Sequence, residues 1–83
     1  MQVTYTKAAA KALSRMPAKT AQLIRSKIEQ YAADPTSLAN NVKALQGRPG
    51  YRLRVGDYRV IFDQDGSVMD VLQIGPRGDV YED

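Results

Sequence analysis

The stretch YRLRVGDYRVIF, residues 51–62, decides the fold of this chain. Apolar and polar residues alternate along it, with the period of a half-buried β-strand. Gly56 and Asp57 lie in the middle and favour a tight turn. We therefore predict an antiparallel hairpin whose strands cover residues 51–55 and 58–63.

A two-residue turn would determine which side chains of this hairpin share a face. Val55 would pair with Tyr58, and Arg54 would pair with Arg59, because residues directly opposite each other point to the same side. The apolar face, which we expect to be part of the core, would contain Tyr51, Leu53, Val55, Tyr58, Val60 and Phe62. The other face would contain Arg52, Arg54 and Arg59. A three-residue turn would break the Arg54–Arg59 pairing.

Three arginines on one face of a short hairpin allow two interpretations. Like charges directly opposite each other destabilise a strand pair by up to about 1 kcal/mol. Guanidinium groups bind phosphate through two hydrogen bonds, so the first interpretation is a phosphate-binding face. The second is an ordinary solvated face, in which Asp70 of the next strand pairs with one arginine.

The first half of the chain predicts a strand followed by a helical hairpin. Residues 2–6 (QVTYT) favour a short strand. A helical stripe follows, with Thr6 as N-cap and Ala9, Ala12, Leu13 and Met16 on its apolar side. Pro17 separates this helix from a second one, which ends before Asp34-Pro35 and buries either Leu23 or Ile24, then Ile28, Tyr31 and Ala32.

The rest of the chain adds a loop and one more long strand. We predict a loop over residues 36–50, in which Val42 and Leu45 are buried. A turn at Asp65-Gly66 leads into a strand over residues 68–74. The predicted fold class is α+β, with an N-terminal strand and a helical hairpin packed on a small twisted antiparallel sheet. A single domain, 1–83, would have the order β-α-α-β-β-β.

Composition removes several kinds of chemistry. The 83 residues contain no cysteine and no histidine. This excludes thiol nucleophiles, disulfides and the commonest metal ligands, and it removes the usual general base at neutral pH. We expect no cofactor and no metal. No apolar run approaches the roughly 20 residues of a membrane span, so we expect a soluble, cytoplasmic protein.

Positive charge is concentrated in the first two thirds of the chain. The net charge is +3, but residues 63–83 hold one Lys/Arg against six acids. We therefore expect any surface that binds a polyanion to come from residues 1–62. Lys7, Lys11 and Arg15 form a stripe on the first helix, which is either a solvated face or a source of attraction to nucleic acid.

The order of elements resembles that of the RelE/ParE superfamily of toxin–antitoxin toxins, and most closely its RelE branch. The motifs that carry the resemblance are the DYR of residues 57–59, which leads into the strand over residues 58–63, and the IGPRGDVY of residues 74–81. RelE-branch toxins are ribosome-dependent endoribonucleases that cut messenger RNA in the decoding site. The resemblance implies a catalytic set of Arg52, Arg54, Arg59, Arg77 and Tyr81. We also expect RNA to contact Arg48, Lys43, Lys7 and Lys11, besides Arg52 and Arg54. Arginine stands at positions 52 and 54, where the family often has lysine, and Pro76 stands where many members have histidine or lysine.

The resemblance also implies partners and leaves two other functions open. The partners would be a cognate acidic antitoxin of the RelB kind, the ribosome and messenger RNA, with DNA bound only through the antitoxin complex. No membrane partner is expected. The first alternative is a ParE-like poison that acts on DNA gyrase by protein contact. The second is a catalytically weak toxin that acts mainly as the partner of its antitoxin.

Overall fold

A computed structural model describes residues 1–76, which form two α-helices and a five-stranded sheet. The helices are α1 (Lys7–Ser14) and α2 (Ala18–Ala33), and a 3-10 segment follows at Pro35–Asn41. The strands are β1 (Gln2–Tyr5), β2 (Val42–Ala44), β3 (Tyr51–Val55), β4 (Tyr58–Gln64) and β5 (Val68–Pro76). The predicted α+β fold, with a strand, two helices and then further strands, is confirmed.

The sheet has the strand order β1-β5-β4-β3-β2. β1 pairs with β5 in parallel, and the other three pairs are antiparallel, so the sheet is mixed rather than wholly antiparallel. The predicted loop over residues 36–50 is wrong in part, because it contains the 3-10 segment and β2. β2 has only three residues, and its pairing with β3 is what makes it a strand.

The central hairpin has the predicted register. Val55 lies opposite Tyr58, and Arg54 lies opposite Arg59. The two-residue turn begins at Gly56, whose φ of 56° is in the left-handed region that favours glycine. Because the turn is local, the residues of the hairpin alone are enough to set this register.

α2 ends before Asp34-Pro35 as predicted, whereas α1 ends at Ser14 and so does not include Met16. Thr6 caps α1, and its hydroxyl oxygen accepts a hydrogen bond from the backbone N–H of Ala9 at 3.1 Å. Ile24 is fully buried in α2, whereas Leu23 is 51% exposed, which resolves the alternative left open by the sequence. Within residues 1–76, neither helix is long and apolar enough to span a membrane.

The core lies between the helices and one face of the sheet. Helix residues such as Leu13 and Ile28 pack there with Leu53, Val60 and Phe62, as the hairpin pattern predicts. The Phe62 ring lies edge-on to Tyr31, at 5.1 Å between centroids, and stacks with Tyr51 at 5.6 Å. The hydroxyl of Tyr31 donates a hydrogen bond to the Gln64 side-chain oxygen at 2.9 Å, so this polar group is satisfied.

Two irregularities shape β5. The turn before it is centred on Gly66 and Ser67, one residue later than predicted, and Asp65 Oδ1 accepts the N–H groups of Ser67 and Val68 at 2.9 Å. These hydrogen bonds lower the pKa of the Asp65 carboxyl. Further along, Ile61 pairs with Gln73 while Phe62 pairs with Val71, so Leu72 is an extra residue on β5.

Candidate functional site

Four cations lie on the face of the sheet that points away from the helices, which we call the open face. Lys43 of β2 is directly opposite Arg52 of β3, and Arg54 of β3 is directly opposite Arg59 of β4. Because opposite residues share a face, these side chains form one group across three neighbouring strands. We call Lys43, Arg52, Arg54 and Arg59 the basic cluster. The register thus brings Lys43 next to the arginines that the sequence had grouped.

The basic cluster differs in exposure from one member to the next. Lys43 and Arg54 are exposed, whereas Arg52 and Arg59 are half-buried. The aliphatic stem of a half-buried arginine lies against the sheet, and its guanidinium remains charged. Arg54 and Arg59 face each other as like charges, which favours a bound anion over an empty surface.

The β5 neighbour of Arg59 is a glycine. Arg59 is paired with Gly75, and the next pair in the ladder is Tyr58 with Pro76. Gly75 has no side chain but is buried, so the pairing by itself does not leave an open space beside Arg59. Arg77 and Tyr81, which complete the expected catalytic set, lie outside the described residues.

Arg48 lines a groove at the border of the basic cluster. The groove has a volume of about 360 Å³ and is formed by Ala8, Leu45, Arg48, Pro49, Ile61, Leu72 and Gln73. Ile61 is the β4 residue opposite Arg52, so the groove is adjacent to that arginine. Leu45 and Ile61 are buried and Leu72 packs against them, which gives the open face an apolar strip.

The two lysines of α1 are not brought into the basic cluster. Lys7 and Lys11 are exposed on the helix. α1 begins alongside the second half of β5, where Thr6 donates its N–H to Val71 O at 3.0 Å and its hydroxyl to Leu72 O at 2.7 Å. Lys7 therefore lies at the rim of the sheet, and none of the contacts described within residues 1–76 joins either lysine to the arginines.

The open face also contains an acidic pair that the sequence reasoning missed. Asp63 of β4 lies directly opposite Asp70 of β5, and the Thr4 hydroxyl donates a hydrogen bond to Asp70 Oδ1 at 2.9 Å. Asp70 is thus placed opposite another carboxylate, so the pairing with an arginine that the solvated-face interpretation included is not one between directly opposite residues. Asp63 could have been assigned to the open face from the alternation of β4, but its partner depends on the bulge at Leu72.

Solved structures of similar shape were found in archaea and bacteria. The RelE–RelB complex of Pyrococcus horikoshii OT3 matches with 28% identity and a TM-score of 0.75, covering 95% of this chain and 97% of that chain. The intact RelBE toxin–antitoxin complex of E. coli gives 18% identity, a TM-score of 0.72 and coverage of 90% and 94%. The YoeB/ParE toxin of Agrobacterium tumefaciens gives 16% identity, a TM-score of 0.73 and coverage of 93% and 99%.

Sequence comparison gives the family. A comparison with curated proteins gave no match. The family model described as the ParE toxin of the type II toxin–antitoxin system parDE matches residues 3–81, which is nearly the whole chain. The strand and helix order and the basic hairpin are those expected from the resemblance to the RelE/ParE superfamily. The chain therefore belongs to the ParE toxin family of type II toxin–antitoxin systems, within the RelE/ParE superfamily of toxins.

Proposed function

We propose that this toxin is an endoribonuclease that cuts messenger RNA on the ribosome. The observation that supports this proposal is the Arg54–Arg59 pair, flanked by Lys43 and Arg52, on the open face of the sheet. A phosphodiester backbone offers the anionic oxygens that such a group of cations binds. A toxin that acted only through protein contact would not need four cations on three adjacent strands.

Each residue of the proposed site has a separate role. Arg59, which lies opposite Arg54 at the turn end of the hairpin, stabilises the charge that develops on the phosphate oxygens in the transition state. Arg52 and Arg54, both on the neighbouring strand β3, hold the RNA backbone, and Lys43 and Arg48 extend this contact. Lys7 and Lys11 contribute longer-range attraction from the rim. Following the family resemblance, Arg77 stabilises the leaving oxygen, and Tyr81 stacks on the neighbouring base and serves in proton transfer.

The reaction is a transesterification in which all atoms come from the RNA. The ribose 2′-hydroxyl loses its proton and its oxygen forms a bond to the adjacent phosphorus. The bond from phosphorus to the 5′-oxygen breaks, and that oxygen takes up a proton. The products are a 2′,3′-cyclic phosphate and a free 5′-hydroxyl, and DNA is resistant because it lacks the 2′-oxygen.

Most of the rate would come from positioning and charge. Arginine does not lose its proton in proteins, so the basic cluster supplies fixed positive charge and no base. An in-line arrangement of the 2′-oxygen, phosphorus and 5′-oxygen lowers the barrier without any further group. If the ribosome supplies this arrangement by bending the message, free RNA is a poor substrate.

The proposed partners follow from the same family. The solved neighbours include complexes of RelE with RelB antitoxins, which supports an acidic antitoxin for this chain. A partly disordered acidic segment of the antitoxin would neutralise the basic cluster by crossing the open face and folding as it binds. We propose that this toxin acts in the cytoplasm, where ribosomes and messenger RNA are found.

Primer extension on translating ribosomes tests the proposed activity. Wild type should produce discrete cuts in the message, and Arg59→Ala should cut about 100- to 1000-fold more slowly. Lys19→Ala is the control, because it removes one exposed cation from α2, outside the stripe of α1, and should cut like wild type. Equal cutting by wild type and Arg59→Ala would remove Arg59 from the site, and cutting of naked RNA at the same rate would remove the ribosome dependence.

A second candidate is favoured by the description of the matching family model, which names ParE. A ParE-like toxin would inhibit DNA gyrase through protein contact and would have no use for the basic cluster as a nuclease. Supercoiling assays with purified gyrase separate the two. Inhibition by wild type and Arg59→Ala alike, with no cutting of messenger RNA, would replace the nuclease by the gyrase poison.

A further inference from the structure

A single row of side chains crosses the open face from the basic cluster to the groove. Lys43 of β2 lies opposite Arg52 of β3. Arg52 lies opposite Ile61 of β4, which in turn lies opposite Gln73 of β5. Opposite residues share a face, so the four side chains follow one another across the sheet at spacings of about 4.8 Å. The row therefore starts with two cations and ends with an apolar residue and an amide.

The bulge in β5 places two consecutive side chains on the open face. Leu72 is the extra residue, and it packs against Leu45 and Ile61. Gln73 is in register with Ile61 and points to the same side of the sheet. In a regular strand, neighbouring side chains would point to opposite faces. The bulge thus sets an apolar side chain next to an amide, and bulges re-aim side chains in this way beside functional sites.

The groove is built around these two side chains. Its volume of about 360 Å³ lies at the lower end of the range for small-molecule sites, about 300–1,000 Å³. Arg48 and Pro49 line it from a loop that is closed by a hydrogen bond from Leu45 N–H to Gly50 O at 3.0 Å. Gln73 is exposed, and none of the hydrogen bonds described within residues 1–76 involves its side chain. The groove therefore combines apolar surface with an amide that can both donate and accept.

Charge around the groove gives a bound RNA strand its direction. The basic cluster lies on one side of the groove. On the far side, Ala8 of α1 lines the groove, and Lys7 and Lys11 of the same helix are exposed. Asp63 and Asp70 lie farther along the open face and would repel phosphate. A strand that leaves the basic cluster therefore keeps its phosphates among cations by crossing the groove toward α1.

A strand on this course has a base at the level of the groove. Arg59, which we assign to the transition-state phosphate, comes two residues before Ile61, about 7 Å along β4. Gln73 lies one strand farther across the sheet. The nucleotide next to the cut therefore has its phosphate at the basic cluster and its base over the groove.

The residues of the groove match one base in particular. Bases of single-stranded RNA are bound by stacking, also on guanidinium planes, and by hydrogen bonds to their edges. A glutamine amide pairs with adenine through two hydrogen bonds, because N7 of adenine accepts and its N6 amino group donates. We propose that the groove binds an adenine next to the cleavage site, with Leu72 and Arg48 against its faces and Gln73 on its edge.

The role of Arg48 does not depend on what its N–H groups bind. These groups lie in the plane of the guanidinium, whereas a stacked base uses the face of that plane. The proposal as a whole rests on the proposed ribonuclease function, since it gives that enzyme a preferred base. Binding and cutting are therefore measured separately.

Two oligoribonucleotides test binding to the full chain. One consists of eight uridines, and the other has a single adenine in place of the fifth uridine. Both have the same number of phosphates, so the basic cluster attracts them equally. Fluorescence anisotropy at low salt should show that wild type binds the adenine-containing strand about fivefold more tightly or better, since one bidentate base contact discriminates by a factor of about 5 to 150.

Gln73→Met isolates the amide. Methionine keeps the length and the apolar stem of the side chain, so the ratio of the two dissociation constants should fall from about fivefold or more to about one. The side chain is exposed, so the variant should fold, which circular dichroism checks. Gln22→Met is the matched control, because it makes the same change at an exposed residue of α2 and should keep the wild-type ratio.

Primer extension on translating ribosomes gives a second readout. Cuts by wild type should be enriched at a fixed distance from adenines in the message. The enrichment should disappear in Gln73→Met and persist in Gln22→Met.

Three binding results would overturn the adenine site. Equal affinity of wild type for the two strands, or no binding of either at low salt, would leave the groove to a protein segment. A preference for adenine that survives Gln73→Met would place the base elsewhere. Adenine preference in binding with no cutting of messenger RNA would count against the proposed function alone. Cutting without enrichment at adenines, together with equal affinity for the two strands, would remove the adenine site and keep the nuclease.

Discussion

β3 and β4 each have one face in the core and one on the open face, and the two faces differ in polarity and in burial. The residues that face the helices are apolar and buried, with Leu53, Val60 and Phe62 fully inaccessible. Their neighbours on the open face are Arg52, Arg54 and Arg59, where like charges stand opposite each other. Alternation within one hairpin therefore separates the residues that hold the fold from those that we assign to binding.

The helix-covered face stabilises the fold, whereas like-charged pairs on the open face destabilise it. Burial of apolar area stabilises the helix-covered face, at about 25 cal/mol per Å². The open face contains pairs that weaken the sheet when nothing is bound to them. Substitutions on the helix-covered face should therefore lower the free energy of unfolding, whereas those on the open face should leave it near or above that of wild type, and neighbouring residues of β4 provide the first test.

Phe62→Ala should have the largest effect on stability. The ring contacts both Tyr31 and Tyr51, so its removal leaves a cavity at the centre of the core. We expect the free energy of unfolding to fall by about 3–5 kcal/mol in urea titrations. Asp63→Ala changes the next residue, which faces the other way, and should stay within about 0.5 kcal/mol of wild type. Similar losses for both would show that the two faces are not energetically distinct.

Thr6→Val tests the join between α1 and the sheet. The Thr6 hydroxyl accepts from Ala9 N–H and donates to Leu72 O, so one oxygen ties the helix start to β5. Valine keeps the shape and loses both hydrogen bonds, and we expect a loss of about 1–2 kcal/mol in the free energy of unfolding. Thr6→Ser retains both bonds and is the control. A valine variant as stable as wild type would show that the Thr6 hydroxyl does not tie α1 to β5.

Arg54→Thr should stabilise the fold while it weakens RNA binding. Threonine suits a strand and removes the repulsion from Arg59, so the free energy of unfolding should rise by up to about 1 kcal/mol. The dependence of RNA affinity on salt should become shallower by about one unit on a double-logarithmic plot. Fluorescence anisotropy with a labelled oligoribonucleotide measures that slope, and Lys19→Ala, which removes an exposed cation of α2, should leave it unchanged. A destabilised Arg54→Thr would mean that the arginine pair already has compensation within the chain.

Tyr5→Phe should have the smallest effect, visible only at high pH. Burial, and secondarily the charge of Glu29, raise the pKa of the Tyr5 phenol above its ordinary value of 10.0, although Arg25 beside the ring acts in the opposite direction. A raised pKa in the folded state means that the stabilisation is complete below pH 10 and is lost as the pH rises through the folded pKa. Urea unfolding at pH about 9 and 11 should show a smaller loss for Tyr5→Phe than for wild type. Equal losses would contradict the raised pKa.

The sequence was sufficient for elements whose causes are local. Gly56-Asp57 and the alternation around it predict the Arg54–Arg59 pairing, and Thr6 and Pro17 predict the helix boundaries. The stripe of α2 was less decisive, because Leu23 and Ile24 fit it equally well and only packing buries Ile24. The short strand β2 was missed because three residues carry too little periodicity to distinguish a strand from a loop.

The sequence alone determined which side chains share each face of the hairpin, because the period of two and the tight turn allow few alternative registers. Tertiary structure decided how distant segments meet: the parallel pairing of β1 with β5, the approach of Lys43 to Arg52, and the opposition of Asp63 and Asp70 across a bulge. These contacts join residues far apart in the chain or depend on one extra residue in a strand. Local sequence patterns cannot specify these contacts, because they stabilise the fold only once the whole sheet has formed.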